Sequence, residues 1–238
     1  MVIHLHSVTK SYGQVHAVHN VSLHIPKGAF FALLGLNGAG KSSIMRMLAG
    51  LSRPDSGSVE VNGVSATSPE SRVNMGYLPE HHKIPVGLTG EEYLLRHCAL
   101  AGLSRRDSKK QTELLAKKVG MAAQLKKRAS AYSKGMLQRI GLASAMVGTP
   151  DLLLLDEPVS GLDPLGIREF RFLLEELRSK GVTILLNSHL LSEVEKTCDT
   201  AAIMDKGQIL VQDKISHILK EGETLEELFL RVLEDGHA

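Results

Sequence analysis

Cysteine is scarce in this sequence of 238 residues. Cys98 and Cys198 lie far apart along the chain, and neither has a neighbouring cysteine or histidine at a spacing typical of metal ligands. This usage excludes a disulfide framework and a zinc-binding cysteine motif. It favours two ordinary buried thiols in a reducing compartment.

Long apolar runs and an excess of one charge are also lacking. Ala29–Leu34 and Leu152–Leu155 are far shorter than the ~20 residues that span a bilayer. The net charge is only +2, so there is no bulk basic field of the kind that favours nucleic-acid binding. Met1–His6 alternates like a strand and lacks the basic start and apolar block of a signal peptide. We therefore expect a cytosolic protein that binds no nucleic acid and does not cross a membrane by itself.

A glycine-rich string follows the first apolar run. It reads Gly35-Leu36-Asn37-Gly38-Ala39-Gly40-Lys41-Ser42-Ser43, and an apolar-periodic stretch from Ser42 to Leu48 comes next. This order predicts a strand, a phosphate-binding loop and a helix. The loop amides and the helix N-terminus would surround a polyphosphate, Lys41 would reach the β- and γ-phosphates, and Ser42 would bind Mg²⁺. The alternative is a glycine-rich turn, and the loop alone does not distinguish a kinase, GTPase, helicase or transport ATPase.

The rest of the chain predicts a single α/β domain, residues 1–238, with a helical insertion. Val21, Leu23 and Ile25 alternate with polar residues, and 59–61 repeats the pattern, which predicts an N-terminal antiparallel β layer. Strand patterns disappear at about 88–150, where helices are expected at 109–120 and 135–147 and after a capping box at Thr89 and Glu92. Further apolar spacing predicts helices over 167–177 and 225–232.

Acidic residues follow the apolar run 152–155. Asp156 at the end of a buried strand would lie near the metal ion, and Glu157 near the terminal phosphate, where it could orient or deprotonate a water. The alternative is a core strand that ends in two solvated acids. Ser160-Gly161-Leu162-Asp163-Pro164 comes next, and His189 follows the apolar run 182–186, where its imidazole could reach the same γ-phosphate. A structural role for this histidine is the alternative.

The order of these motifs resembles the ATPase subunits of ABC transporters over almost the whole chain. The resemblance implies a P-loop ATPase core, with Tyr12 stacked on adenine. It also implies that the string Tyr132–Arg139 is the family's signature, in which Ser133, Lys134, Gly135 and Met136 contact the γ-phosphate of ATP held by the other protomer. The expected assembly is a homodimer that encloses two ATP molecules. Asp163 would communicate across its interface, and His189 would sense the γ-phosphate.

The chain departs from the commonest family pattern at two places. Lys134 and Met136 stand where a second glycine and a glutamine are usual, which is expected to change the side-chain contacts made in trans. Glu80, in Gly76-Tyr77-Leu78-Pro79-Glu80, stands where the family usually has a glutamine that contacts Mg²⁺ and the attacking water. We therefore expect Ser42, Glu80 and Asp156 as metal ligands. Both variants resemble bacterial exporter-type ATPases with a separate permease chain, including subunits associated with copper-enzyme maturation.

The resemblance implies an ATPase that powers transport through a separate polytopic membrane permease, bound peripherally at the cytoplasmic side of the inner membrane. One alternative is a soluble ABC-type ATPase, such as an iron–sulfur assembly factor. Another is a P-loop small-molecule kinase, which would need an acceptor pocket and no signature helix.

Histidines are frequent near the N-terminus and after Glu80. A transition-metal site is conceivable, but no associated cysteine or aspartate ligand set accompanies them, and polar-face positions are the favoured interpretation. The residues concerned are His4, His6, His16, His19, His24, His81 and His82.

Overall fold

The computed structural model describes residues Val2–Gly236. The chain divides into two units, one formed by Met1–Val73 with Gly181–Ala238 and the other by Asn74–Lys180. The strands are β1 Ile3–Tyr12, β2 Val15–Ile25, β3 Phe30–Gly35, β4 Ser56–Val61, β5 Val64–Ser65, β6 Met75–Leu78, β7 Leu152–Asp156, β8 Thr183–Asn187, β9 Thr200–Asp205 and β10 Gln208–Lys214. The α-helices are α1 Lys41–Leu48, α2 Gly90–Leu100, α3 Arg105–Lys118, α4 Lys134–Ala145, α5 Pro164–Ser179, α6 Leu191–Thr197, α7 Ile215–Ile218 and α8 Leu225–Asp235. Short 3₁₀ turns cover Pro69–Arg72, Ala122–Gln124 and Ala129–Ala131.

The first unit contains the predicted antiparallel β layer. Its strands lie in the order β2-β1-β4-β5, and each neighbouring pair is antiparallel. Val21, Leu23 and Ile25 are buried, whereas Ser22 and His24 between them are exposed. The period-two alternation therefore predicted both the strand and its buried face correctly.

A mixed sheet in the same unit carries the glycine-rich string, with β10 antiparallel to β9. Its strands lie in the order β10-β9-β3-β8, and β3 is parallel to both β8 and β9. Every residue of Phe30–Leu34 is buried, as a continuous apolar run predicts for a strand covered on both faces. Leu33 lies opposite Asn187, so the chain leaves β3 and β8 at the same edge of the sheet.

In the second unit, strand β6 runs parallel to β7 with Leu78 opposite Leu155. Helix α4 packs closely on this pair, since a Cβ at Gly76 would overlap the carbonyl oxygen of Ala145. The segments that follow the two strands therefore begin at one edge. Glu80 and Glu157 lie just beyond this edge, after β6 and β7 respectively.

The predicted helices of the insertion are present, with small differences at their ends. Helix α2 begins at the predicted capping box, in which Thr89 Oγ1 accepts from the Glu92 amide at 3.1 Å and the Glu92 carboxylate accepts from the Thr89 amide at 2.8 Å. Helix α3 begins at Arg105, about one turn before the predicted start. The reason is Ser104, whose hydroxyl caps the helix by accepting from the Asp107 amide at 3.2 Å.

Both cysteines are buried thiols, as predicted. None of the helices within Val2–Gly236 has the length and apolar character needed to cross a membrane.

Candidate functional site

The glycine-rich string forms a tight loop between β3 and α1. Gly40, the residue before the helix, has a φ of 108°. A Cβ at this position would overlap the carbonyl oxygen of Ala17, and one at Gly35 would overlap that of Met204. Only glycine fits where the loop lies against neighbouring backbone. The loop leads directly into the N-terminus of α1. The first amides of a helix lack partners within the helix, and they attract anions.

Lys41 is the first residue of α1, and its side chain folds back over the loop. Its Nζ donates to the carbonyl oxygens of Gly35 at 2.8 Å and Leu36 at 3.0 Å. The lysine is 9% exposed. A buried ammonium group is thus held against the loop backbone, where it adds positive charge to that of the helix N-terminus.

His189 belongs to the same unit as the loop. It follows β8 after the buried residues Asn187 and Ser188, and it is itself exposed. Because β3 and β8 are parallel neighbours, His189 and the loop both emerge at the same edge of the sheet. The structure brings these two predicted elements to one side of the unit.

Tyr12 ends strand β1 and is 44% exposed. Its hydroxyl lies 3.3 Å from Ser52 Oγ, and Lys10 Nζ lies 5.4 Å from the ring centroid. The ring is anchored at its hydroxyl end and keeps an accessible surface. Such a ring suits the predicted stacking with a base.

The second unit holds the predicted carboxylates. Asp156, the last residue of β7, is 3% exposed, and Glu157 directly after it is half-buried. Glu157 has a φ of 50°, a left-handed conformation that is uncommon outside glycine. Glu80 follows β6 after Pro79 and is exposed. The parallel pairing places Glu80 and Glu157 beyond the same edge.

The signature string forms the start of helix α4. Ser133 is the N-cap, and its Oγ accepts from the Met136 amide at 3.2 Å. Tyr132 is anchored by its hydroxyl, which donates to the Gln124 carbonyl at 3.0 Å, and burial raises the pKa of this phenol so that it remains a donor. Lys134 and Gly135 open the helix. An ordered helix N-terminus thus lies where the signature was predicted.

Asp163 has a defined local contact. It caps helix α5, where its Oδ1 accepts from the Gly166 amide at 2.8 Å. The predicted residues are divided between the two units. The loop, Tyr12 and His189 belong to the first unit, and the carboxylates, the signature and Asp163 belong to the second.

A family profile described as ABC transporter matches residues 18–160. The chain belongs to this family. Its predicted α/β fold is thereby confirmed, and as an ABC transporter ATP-binding protein it is an ATPase.

Curated relatives cover nearly the whole ABC ATPase chain. The bacitracin transport ATP-binding protein BcrA of Enterococcus faecalis is 38% identical over 229 residues, which is 95% of this chain and 73% of the relative. The lantibiotic transport ATP-binding protein SrtF of Streptococcus pyogenes is 37% identical and is matched over 96% of both chains. Among solved structures, an ATP-binding subunit of an ABC transporter superposes with a TM-score of 0.90 at 30% identity, covering 98% of this chain and all of the other. A dimeric ATP-binding cassette bound to ADP and Pi shares the fold, with a TM-score of 0.84 at 22% identity over 90% of this chain and 98% of the other.

The histidines of this ABC ATPase lie in different parts of the chain and have different surroundings. His4 and His6 lie two residues apart on β1 with ring centroids 6.3 Å apart, and the ring centroid of His24 lies 4.4 Å from that of His4. His81 is exposed, whereas burial lowers the pKa of His82 to about 4 and keeps that ring neutral at physiological pH. Among residues Val2–Gly236, no group of three His, Cys, Asp or Glu side chains is arranged to hold a metal ion.

Gln138 was not singled out by the sequence. This residue of α4 is 6% exposed, and its Nε2 donates to the carbonyl oxygen of Glu157 at 3.1 Å. The available indication was a polar residue near the end of the signature string Tyr132–Arg139, directly before the apolar part of α4. Its partner could not be assigned without the tertiary structure.

Proposed function

We propose that the chain hydrolyses Mg·ATP as a head-to-tail homodimer and thereby powers transport through a separate polytopic membrane permease. The observation that carries the proposal is the buried Lys41 ammonium group on a glycine loop at a helix N-terminus. BcrA and SrtF, which bear transport names, support the role in a transporter. The chain would bind peripherally at the cytoplasmic side of the inner membrane and belong to an exporter-type system.

Several of the predicted residues have a direct role in phosphoryl transfer to water, whereas Asp163 would communicate across the dimer interface. Lys41 and the amides of 35–43 neutralise the phosphate charge, and Tyr12 holds the base. Glu157 polarises the attacking water, and His189 stabilises the γ-phosphate. The N-terminus of α4 at Ser133 completes the site from the partner protomer.

The proposed metal ligands fit magnesium. Ser42, Asp156 and Glu80 offer only oxygen atoms, which Mg²⁺ prefers. Since no described group of three acidic, histidine or cysteine side chains could hold a metal alone, the ion would share its ligands with the phosphates, as Mg²⁺ usually does. When bound, it neutralises charge on the transferred phosphoryl group.

The proposal predicts Mg²⁺-dependent ATP hydrolysis that requires Lys41. Lys41→Ala removes the ammonium group from the loop, and we expect turnover to fall by roughly 10²-fold or more, the scale of losing a positioned charge at the phosphates. The measurement is phosphate release with Mg²⁺ or EDTA. It is repeated with a candidate permease, a polytopic membrane protein reconstituted in proteoliposomes. Full activity in EDTA, or full activity of the Lys41→Ala variant, would contradict the proposed ATPase site. If the chain neither co-purifies with the membrane protein nor changes its ATPase rate in its presence, a soluble ABC-type ATPase would be favoured.

A second prediction concerns Glu80, which connects β6 to the helical segment of its unit. We expect Glu80→Gln to keep basal ATPase within about tenfold, because the amide still offers an oxygen and tenfold corresponds to only ~1.4 kcal/mol of barrier. Glu80→Ala should reduce permease-stimulated turnover more than basal turnover, since it deletes the proposed link to a permease segment.

The test measures ATPase rates with and without the reconstituted permease. Glu113→Ala, an exposed carboxylate on α3, is the matched control and should leave both rates unchanged. Equal losses in both states for Glu80→Ala would show that this residue serves hydrolysis and not coupling.

A further inference from the structure

Two polar side chains of helix α4 contact the segment that follows β7. Gln138 donates from Nε2 to the Glu157 carbonyl at 3.1 Å. One turn earlier, Lys134 donates from Nζ to Ser160 Oγ at 2.9 Å. Since residues four apart lie on the same face of a helix, one face of α4 holds both ends of the segment 157–160.

The segment itself has an unusual backbone. Glu157 has a φ of 50°, and its carbonyl accepts both from Gln138 and from the Ser160 amide at 3.2 Å. Residues other than glycine adopt this left-handed conformation at a cost, and it persists where surrounding contacts enforce it. The Ser160 bond is internal to the turn. The two bonds from α4 fix the turn to the rest of the unit.

We propose that Gln138 and Lys134 are positioning residues that hold Glu157 in the conformation from which it orients the attacking water. This inference rests on the proposed role of Glu157. Lys134 stands where the commonest family pattern has glycine, and a glycine could not reach Ser160. The additional anchor is thus a property of this chain's variant signature.

The expected consequence is a loss of turnover without a loss of ATP affinity. Without the amide donor, the carbonyl of the half-buried Glu157 loses one partner and the backbone can relax to a commoner φ. The carboxylate moves with it, and a displacement of about 1 Å can cost up to about 10²-fold in rate. For variants of Gln138, which is not among the predicted ATP contacts, ATP affinity should not change.

The first experiment compares kcat and KM of three variants. Gln138→Leu keeps the side-chain size but removes the donor, and we expect kcat to fall about tenfold at unchanged KM. Gln111→Leu is the matched control: the Gln111 side-chain oxygen accepts from the Gly148 amide at 3.1 Å, so its loss removes a comparable bond away from Glu157. This control should keep the native kcat. Thermal unfolding of all variants verifies that they fold.

The third variant, Gln138→Glu, gives a readout that a purely structural role would not produce. A carboxylate cannot donate to the Glu157 carbonyl, whereas a protonated carboxyl group can. Burial raises the pKa of a carboxyl group, so its protonated fraction grows as the pH falls. We therefore expect the ratio of variant kcat to native kcat to rise as the pH is lowered from about 8.5 to about 6.

The second experiment tests the lysine anchor by a double-mutant cycle. Lys134→Met and Ser160→Ala each remove the same hydrogen bond, so each should lower kcat about fivefold and the double variant should lose no more than either alone. Lys134→Arg retains a donor and should restore most of the rate. Lys118→Met, which removes the 2.6 Å pair with Glu176 elsewhere in the unit, should leave kcat unchanged.

Three results would overturn the inference. They are a kcat for Gln138→Leu equal to that of Gln111→Leu, a pH-independent ratio for Gln138→Glu, and additive losses in the lysine cycle. Glu157→Gln separates the two proposals. If Glu157→Gln is nearly native, the proposed role of Glu157 fails; if Glu157→Gln is inactive while Gln138→Leu is native, the positioning inference alone fails.

Discussion

Replacing Glu157 by glutamine is expected to lower ATP turnover by roughly 10²–10⁴-fold, the range expected for losing a general base. The amide has nearly the same shape but cannot accept the proton of the attacking water. ATP affinity should persist, because Lys41 and the loop amides belong to the other unit and are unchanged. The ATP-bound dimer should therefore accumulate. Phosphate release, nucleotide binding and size-exclusion chromatography with ATP measure the three effects.

Glu175→Gln is the matched control, since Glu175 is an exposed carboxylate on α5 in the same unit. It should hydrolyse ATP at the native rate and should not accumulate the dimer. Near-native hydrolysis by Glu157→Gln would remove Glu157 from the mechanism. It would leave the family assignment intact, because that assignment comes from the match over residues 18–160.

Features set by local sequence could be predicted well. The capping box at Thr89 and Glu92 forms as expected, because both of its hydrogen bonds join residues three apart. The buried strands β3 and β7 follow from continuous apolar runs. The glycine loop was also predictable, since its conformation excludes any side chain at Gly40.

Strand β9 shows where local reasoning failed. The local sequence does not predict this strand, because Ala201 and Ala202 have weak β preference and form no strong apolar run. In the structure they lie opposite Ala32 and Leu33 of β3 and are fully buried. Tertiary pairing outweighs the local preference at this strand.

The variant signature shows the same limit within the candidate site. The sequence identified Lys134 as a departure and predicted a changed contact in trans. The structure adds a contact in cis, from Lys134 Nζ to Ser160 Oγ. Residues 134 and 160 are close only because α4 packs beside the segment after β7, which no local pattern encodes.

The proposed dimer predicts that two inactive variants restore activity in one heterodimer. Lys41→Ala disables the phosphate loop of one chain, and Ser133→Arg places a bulky side chain at the α4 N-terminus of the other. If each site combines the loop of one protomer with the signature of its partner, a heterodimer keeps one intact site. Each variant alone should be roughly 10²-fold impaired. Heterodimers, isolated with two different affinity tags, should regain about half the native rate if the two sites act independently, as symmetry of the dimer implies.

The control for this experiment separates the signature from the helix cap. Ser133→Arg also removes an N-cap, which costs roughly 1 kcal/mol of stability on its own. Ser104→Arg removes the equivalent cap of α3, where Ser104 Oγ accepts from the Asp107 amide at 3.2 Å, and should remain active. Heterodimers that stay as inactive as their parents would mean either that the sites cannot act singly or that they are not shared. Full-rate hydrolysis by an isolated native monomer would decide against the shared site, because a monomer cannot bring a partner's Ser133 to its own phosphate loop.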